Sequence, residues 1–561
     1  MVLLGGVGDG LPPPCTVQAL PARRACPWWC AGEAGTLHGG SSSSPGCGYR
    51  GTAPSRRPPR ARTDRTPMST APPPSGMPDS ASPALPDDAA HPAGPLAPEG
   101  EQLAHGLRTR HLTMMGLGSA IGAGLFLGSG VGIATAGPAV LVSYAVAGLL
   151  VILVMRMLAE MASAVPSSGS FSVYAETALG RWAGFTMGWL YWFTLIMVLG
   201  AEITGASQIV SGWVPGVPQW VVALVFVAVF AVVNLWGVKH FGEFEFWFAF
   251  IKVAAIVAFL VIGVLLVLGW LPGTDPVGTT NIFGDPASLA GFAPHGLPGI
   301  AAGLLVVVFA FGGIEIVTIA AAEAREPQKA IVTATRSIVW RILFFYVGAV
   351  AIMALVLPWD APELLSGPFV AVLDLAGLPG AARLMEAVVV VALLSAFNAN
   401  VYGTSRMAFS LAGRGDGHRA LTKVSPTGVP WVAVLLSVFF GLLSVGLNWL
   451  LPGEVLGILL NAVGSALLVI WVFIAVSQLR LRPRLEAAAG GADKMTLRMW
   501  AYPGLTWATL AGLAGLIVLM LFDDAARVQL VSTLVLVGVI VGIYAVRSRL
   551  RGRAGRAGAG S

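Results

Sequence analysis

From Leu112 onward the chain alternates long apolar runs with short polar links, and this alternation restricts the fold more than any other feature. Each run has the roughly 20 residues that an α-helix needs to cross a bilayer. Hydrophobic residues make up 56% of the chain and charged residues 11%, too apolar for a water-soluble fold. We predict an all-α polytopic membrane protein with twelve transmembrane helices. The predicted spans are 112–135, 138–163, 183–212, 218–238, 246–269, 298–322, 337–358, 383–412, 430–450, 454–478, 501–522 and 528–547.

The formal net charge of +6 predicts orientation and not a nucleic-acid partner, because basic residues of membrane proteins sort to cytoplasmic loops. With the amino terminus inside, thirteen Arg and Lys residues fall in the predicted inner loops. Only Arg383 and Arg527 fall in the outer loops, and residues 548–561 add a basic tail. We therefore predict a multi-pass protein of the cell (plasma) membrane with both termini in the cytoplasm.

Residues 1–108 are rich in Pro, Ser, Ala and Arg and have too few large apolar residues to form a core. We expect this extension to be disordered, and our preferred hypothesis is that translation starts at Met68. The cysteines of this stretch have no second pair at ligand spacing, so we predict no metal site, and no motif indicates a cofactor. All four cysteines of the chain lie here: Cys15, Cys26, Cys30 and Cys47.

A glycine-rich stretch, Ser119-Ala-Ile-Gly-Ala-Gly-Leu-Phe126, interrupts the first span. Glycine costs about 1 kcal/mol relative to alanine inside a helix, and backbone groups freed by a break cannot face lipid. A break here therefore predicts a cavity lined by protein. Gly122 and Gly124 would let a ligand approach the backbone, and the amides of the second half-helix would face an anionic group. The alternative for this stretch alone is a helix-packing face of small residues.

The sixth predicted span is also interrupted by glycines, in Phe309-Ala-Phe-Gly-Gly-Ile-Glu315. Two interrupted helices at corresponding positions of two five-helix halves are typical of inverted-repeat transporters that bind substrate between the halves. The first repeat would cover 109–269 with helices 1–5, and the second 298–478 with helices 6–10. Residues 501–547 would hold helices 11 and 12.

Ionisable residues inside predicted spans are functional candidates, because burying one costs at least about 2.5 to 3.5 kcal/mol. Glu315 follows the second break and is predicted either to receive a ligand amine or to accept from freed amides. Lys252 is predicted to act in coupling, with snorkelling to the surface as its alternative. Glu202 is a proton-accepting or cavity-lining candidate, or is simply hydrogen-bonded. Arg156 and Glu160, at i and i+4, predict a structural ion pair.

Residues 110–547 resemble the amino acid transporter branch of the amino acid, polyamine and organocation superfamily. Within it, Ile316–Ala324 and Ala475–Arg480 look most like bacterial 4-aminobutyrate permeases, while Gly200–Thr204 looks more like aromatic or neutral amino acid permeases. The stretches that carry the resemblance are Ile121–Phe126, Ala136–Ala139, Met155–Glu160, Gly242–Trp247, Glu315–Glu323 and Trp340–Leu343.

This resemblance implies a LeuT-like core of ten helices with helices 1 and 6 broken, plus two peripheral helices. It implies that Lys252 stands where sodium-coupled relatives bind an ion, with Ser395 and Asn398 as its neighbours on span eight. It also implies that two groups of residues hold the substrate. Its carboxylate would contact Ser119, Ala120, Ile121, Gly122, Ala123 and Gly124. Its amine and side chain would be bordered by Phe311, Gly312, Gly313 and Glu315.

The resemblance therefore implies a secondary active permease that imports an amino acid, such as 4-aminobutyrate, with protons. A broad or aromatic/neutral amino acid permease and an amino acid sensor without net transport remain the alternatives. An enzyme is not predicted, because the chain has no Ser/His/Asp arrangement, zinc-protease motif or phosphate loop.

Overall fold

The computed structural model describes residues 107–118, 121–283, 291–451 and 455–558. Regular structure in these parts is helical, with one isolated parallel bridge between Leu107 and Ala324. The expected disorder of residues 1–108, the start at Met68 and the cysteines therefore fall almost entirely outside the described residues, as do Ser119 and Ala120 of the predicted site.

The first ten helices are α1 (Thr109–Gly118), α2 (Ala123–Phe126), α3 (Gly128–Ala136), α4 (Val140–Ala164), α5 (Ser170–Leu179), α6 (Arg181–Trp213), α7 (Gln219–Trp236), α8 (Val238–Val267), α9 (Thr280–Phe283) and α10 (Gly296–Ala310). The next ten are α11 (Ile316–Ala320), α12 (Pro327–Arg341), α13 (Gly348–Val356), α14 (Glu363–Ser366), α15 (Pro368–Leu375), α16 (Ala381–Gly413), α17 (Trp431–Leu450), α18 (Val455–Ala489), α19 (Gly504–Met520) and α20 (Asp524–Gly558). A π-helical stretch, Ile342–Val347, joins α12 to α13. Single 3₁₀ turns are Gly137–Ala139, Ala321–Glu323, Arg419–Thr422 and Ala492–Lys494.

Eight helices in the described parts are long and apolar enough to cross a membrane. Many of their large apolar side chains point outward, such as Val232 and Trp236 on α7, which are 61% and 60% exposed, as lipid contact requires. Three shorter apolar helices accompany them: Gly296–Val308, Phe344–Val356 and Gly504–Met520. The polytopic helical class is thus supported, whereas the count of twelve spans and the inverted repeat stay predictions. The eight are Ala123–Ala164, Arg181–Trp213, Gln219–Trp236, Val238–Val267, Ala381–Gly413, Trp431–Leu450, Val463–Ala489 and Ala526–Arg551.

The structure interrupts helices at both predicted glycine-rich stretches. In the first, α1 ends at Gly118 and α2 begins at Ala123. In the second, α10 ends at Ala310, and a turn through residues 311–315 leads to α11. The two breaks touch: a Cβ on Gly124 would lie 2.6 Å from the Cα of Ala310. Only glycine allows α2 and α10 to approach this closely.

The fifth predicted span began eight residues too late. The sequence placed it at 246–269, but α8 begins at Val238. Lys239, His240 and Glu243 made its first two turns look like a polar link, although the helix continues through them. Lys252 therefore lies 14 residues inside α8, about 21 Å along its axis.

The predicted Arg156–Glu160 ion pair is wrong. Arg156 donates from Nε to the carbonyl of Arg498 at 2.8 Å. Glu160 is fully buried and accepts from Arg482 Nη1 at 2.6 Å and from Gln478 Nε2 at 2.9 Å, and it also accepts from a backbone amide beyond α18. Spacing along one helix could not reveal this partner 322 residues away, and Glu160 instead joins α4 to α18.

The cytoplasm-facing ends that we predict for the two broken helices are joined to each other. Leu107 donates its amide to the carbonyl of Glu323 at 3.3 Å, and Arg325 donates to the carbonyl of Leu107 at 3.2 Å. Beside this joint, Glu323 accepts from Arg406 Nε at 2.8 Å and from the Tyr402 hydroxyl at 2.9 Å, and all three side chains are buried. Leu107, two residues before α1, is therefore joined through the backbone to Glu323 and Arg325, which follow α11.

Candidate functional site

The carboxylate of Glu202, on α6, binds the backbone at the first break. Both of its carboxylate oxygens accept from the Ala123 amide at 3.1 Å, and its side chain is buried. A Cβ on Gly122 would lie 2.4 Å from Glu202 Oε1, which explains why glycine stands there. The amide that the sequence assigned to a substrate carboxylate is therefore held by a carboxylate of the protein itself.

Lys252 lies on the other side of the same break. Its ammonium is fully buried and donates to the carbonyl of Gly118 at 2.7 Å, so the snorkelling alternative is wrong. Glu245 and Glu202 are the carboxylates within electrostatic range of Lys252. Glu245 is also fully buried and lies two turns before Lys252 on α8, and its Oε1 is 3.5 Å from where a Cβ on Gly118 would be. Sequence reasoning missed Glu245, because its polar neighbours placed it outside the predicted span.

Ser395 and Asn398 of α16 face this region but have other partners than those implied. Ser395 donates to Glu245 Oε1 at 2.9 Å, so its link to Lys252 runs through a carboxylate. Asn398 accepts from Asn234 Nδ2 at 2.8 Å, which joins α16 to α7. The structure thus brings Ser395 into the charged cluster, and Asn398, which also lies beside Glu245, joins that cluster to α7.

Glu315 holds the second break together. It accepts from the Gly313 amide at 3.1 Å and from the Trp471 indole at 2.7 Å. This is the arrangement in which a carboxylate accepts from freed amides. Phe311 is buried against the rings of Tyr144 and Tyr346 at centroid distances of 6.0 and 4.8 Å. Both side chains support the turn between α10 and α11.

A cavity lies between the two breaks and α6. It has room for roughly one water molecule, so an amino acid must move its walls apart to bind. Gly124, Gly312, Gly313 and Glu202 were predicted to belong to the site, and they line it. Phe311, Glu315 and Lys252 do not line this cavity. The full lining is Gly124, Tyr191, Thr194, Leu195, Val198, Glu202, Ala310, Gly312, Gly313, Asn400 and Leu467.

A second, larger cavity of about 830 Å³ begins one helical turn away. Gly205 of α6 lines it, whereas Glu202 lines the inner cavity. Between the two, the side chains of Leu127 and Leu393 each lie 3.3 Å from where a Cβ on Gly205 would be. A thin apolar partition thus separates the inner cavity from the larger one.

The site combines backbone groups at two helix breaks with a buried ammonium and buried carboxylates. Such a set can receive a zwitterion, since backbone amides at a helix break donate to an anionic group, and carbonyls and carboxylates accept from a cationic one. Thr194 offers little to a ligand, because its hydroxyl already donates to the carbonyl of Leu190 at 2.8 Å. Most of the remaining lining is apolar.

In the part of the chain that the structure describes, eight membrane-length helices and an internal cavity are consistent with a multi-pass membrane protein. A family model described as amino acid permease matches residues 111–552. This chain belongs to the amino acid permease family, which confirms the resemblance found in its sequence. Amino acid transport is therefore its class of function.

Three relatives show how the family resemblance divides by named substrate. The aromatic amino acid transport protein AroP of Corynebacterium glutamicum is 55% identical over 463 residues, covering 82% of this chain and 98% of that protein. The gamma-aminobutyric acid permease of Bacillus subtilis is 44% identical over 440 residues, covering 78% and 92%. AroP of Escherichia coli is 38% identical over 430 residues, covering 77% and 92%. All three are named as transport proteins and not as enzymes.

Proposed function

We propose that this protein imports an aromatic amino acid together with protons across the plasma membrane, with both termini in the cytoplasm. The observation that carries the proposal is the pair of ionisable side chains at the first break. Glu202 accepts from Ala123, and Lys252 donates to Gly118, on either side of the same gap. Proton movement on either side chain would change how the break is held beside the cavity.

The proposed pose follows from the backbone groups. The substrate carboxylate takes the amides at Ala123 and Gly124, and Glu202 withdraws because two carboxylates compete for one donor. The amine lies toward Gly312 and Gly313, which line the cavity at the turn of the second break. Predicted contacts of Ser119, Ala120 and Ile121 with the carboxylate belong to the same pose.

An aromatic substrate is favoured over 4-aminobutyrate for two reasons. Leu195, Val198 and Leu467 give the cavity an apolar wall, which an aromatic side chain would cover and 4-aminobutyrate would not. The AroP of Corynebacterium glutamicum is also more similar to this chain than the Bacillus subtilis permease. 4-Aminobutyrate remains the second candidate, since that permease is still 44% identical.

Uptake into proteoliposomes tests the proposal. Labelled phenylalanine should accumulate, an imposed inward proton gradient should stimulate uptake, and unlabelled tyrosine and tryptophan should compete better than 4-aminobutyrate, proline, lysine or alanine. Strong competition by 4-aminobutyrate alone would select the second candidate. Saturable binding without accumulation would instead favour a sensor.

A further inference from the structure

Two buried polar atoms in the cavity wall have no hydrogen-bond partner. They are the Tyr191 hydroxyl of α6 and the Asn400 Oδ1 of α16, and their side chains are 0% and 3% exposed. Leaving a buried polar atom unpaired costs about 1–3 kcal/mol, so such atoms need an explanation. Both line the same cavity, so a molecule held in that cavity is their common candidate partner.

Asn400 lies about a side chain's length from the first break. Ala396, one turn earlier on α16, is 3.0 Å from where a Cβ on Gly122 would be. One turn adds about 5–6 Å along the helix. A substrate whose carboxylate lies at the first break would thus present the far end of its side chain near Asn400.

Tyr191 is held in place by packing and not by its hydroxyl. Its ring meets the ring of Phe171 edge to face, with centroids 4.6 Å apart. The hydroxyl is consequently positioned without using its hydrogen-bonding capacity, which stays available to a molecule in the cavity.

We propose that Tyr191 and Asn400 form a distal polar subsite that hydrogen-bonds a donor at the end of the substrate side chain. A phenol hydroxyl or an indole N–H can hydrogen-bond at this subsite, and an unsubstituted phenyl ring cannot. The inference rests on the proposed function and deepens it, because it distinguishes tyrosine and tryptophan from phenylalanine. A phenyl ring would leave both polar atoms buried and unpaired, so phenylalanine should be taken up with a lower affinity than tyrosine.

The test compares tyrosine with 4-methylphenylalanine, which has nearly the same shape but no donor at that position. Inhibition constants against labelled phenylalanine uptake would be measured for wild type, Tyr191→Phe and Asn400→Leu. Tyr191→Phe is expected to fold, since the hydroxyl it removes has no partner.

Wild type should favour tyrosine over 4-methylphenylalanine by about five- to tenfold, because one hydrogen bond contributes roughly 1–1.5 kcal/mol. Each variant should reduce that ratio several-fold. Tyr144→Phe is the matched control: its hydroxyl is also buried and unpaired but does not line the cavity, so the ratio should stay at the wild-type value.

The outcomes separate the two proposals. Phenylalanine uptake with a ratio near one in wild type, or with a ratio unchanged in both variants, would overturn the distal subsite and leave the proposed function standing. If wild type takes up no aromatic amino acid, the proposed function fails, and the subsite proposal fails with it.

Discussion

The two helix breaks are held by different kinds of partner. At the first, the freed groups of Gly118 and Ala123 are bonded by Lys252 and Glu202, which are 134 and 79 residues away and come from two other helices. At the second, the Gly313 amide is bonded by Glu315, only two residues on. The first break therefore depends on distant ionisable groups, whereas the second is closed mainly by its own turn.

This difference predicts separate roles for the two helix breaks in transport. We expect a break held by an ammonium and a carboxylate from other helices to respond to protons, since each charged group bonds the break to a neighbouring helix. A break held by a local carboxylate and the neutral indole of Trp471 keeps one shape. We expect the first break to couple and the second to shape the pocket.

Replacing Lys252 by glutamine should disrupt the contacts that hold the first helix break, and we expect the largest effect from this substitution. It leaves Glu245 and Glu202 buried without their cation, and removing one partner of a buried charged group costs about 3–5 kcal/mol. We expect a loss of concentrative uptake of about 100-fold or more and no response to a proton gradient, with some binding retained. Lys252→Arg should also lose coupling, because arginine does not release its proton at accessible pH. Normal accumulation in either variant would show that Lys252 is not the coupling group.

Glu315→Gln probes the second break. A carboxylate accepts from both Gly313 and Trp471, but a carboxamide has one acceptor oxygen, so one donor is left unpaired. We expect the apparent affinity for substrate to weaken about 10- to 50-fold, in line with about 1–3 kcal/mol for one buried unpaired group. Stimulation by a proton gradient should persist. Its disappearance would place coupling at Glu315 and remove the distinction between the two breaks.

Trp471→Phe should have the smallest effect. It removes the indole donor to Glu315 together with some buried ring volume; the hydrogen bond contributes about 1 kcal/mol, and its loss should weaken affinity about fivefold. Trp192→Phe is the control, because the Trp192 indole nitrogen is buried without a partner and its loss removes similar volume but no hydrogen bond. Equal effects of the two substitutions on substrate affinity would assign the loss to packing.

The charged part of the site was predictable because charge is rare inside apolar runs. Glu202, Lys252 and Glu315 stand out within such runs, and the glycines around Gly122 and Gly312 stand out inside helices. What each charged group bonds was not readable, because the partners lie on other helices. The spacing within one helix therefore suggested a pair for Glu160 that the fold does not form.

The neutral part of the site was hidden for the opposite reason. Nothing in the sequence distinguishes Tyr191 and Asn400 as site residues. They became candidates only because the structure shows that both line one cavity and that each has a polar atom without a partner. Glu245 was hidden by composition, since polar residues at the start of α8 moved the predicted helix end past it. Because the predicted span began after Glu245, the sequence did not identify that carboxylate as buried.

The backbone joint at Leu107 makes a mechanical demand on the cycle. Two hydrogen bonds tie the residue before α1 to the residues after α11, so neither half-helix swings away alone without severing them. We therefore expect the two half-helices to move together at this joint. The side chains of Leu107 and Glu323 are buried, so packing holds this joint as well as the main chain.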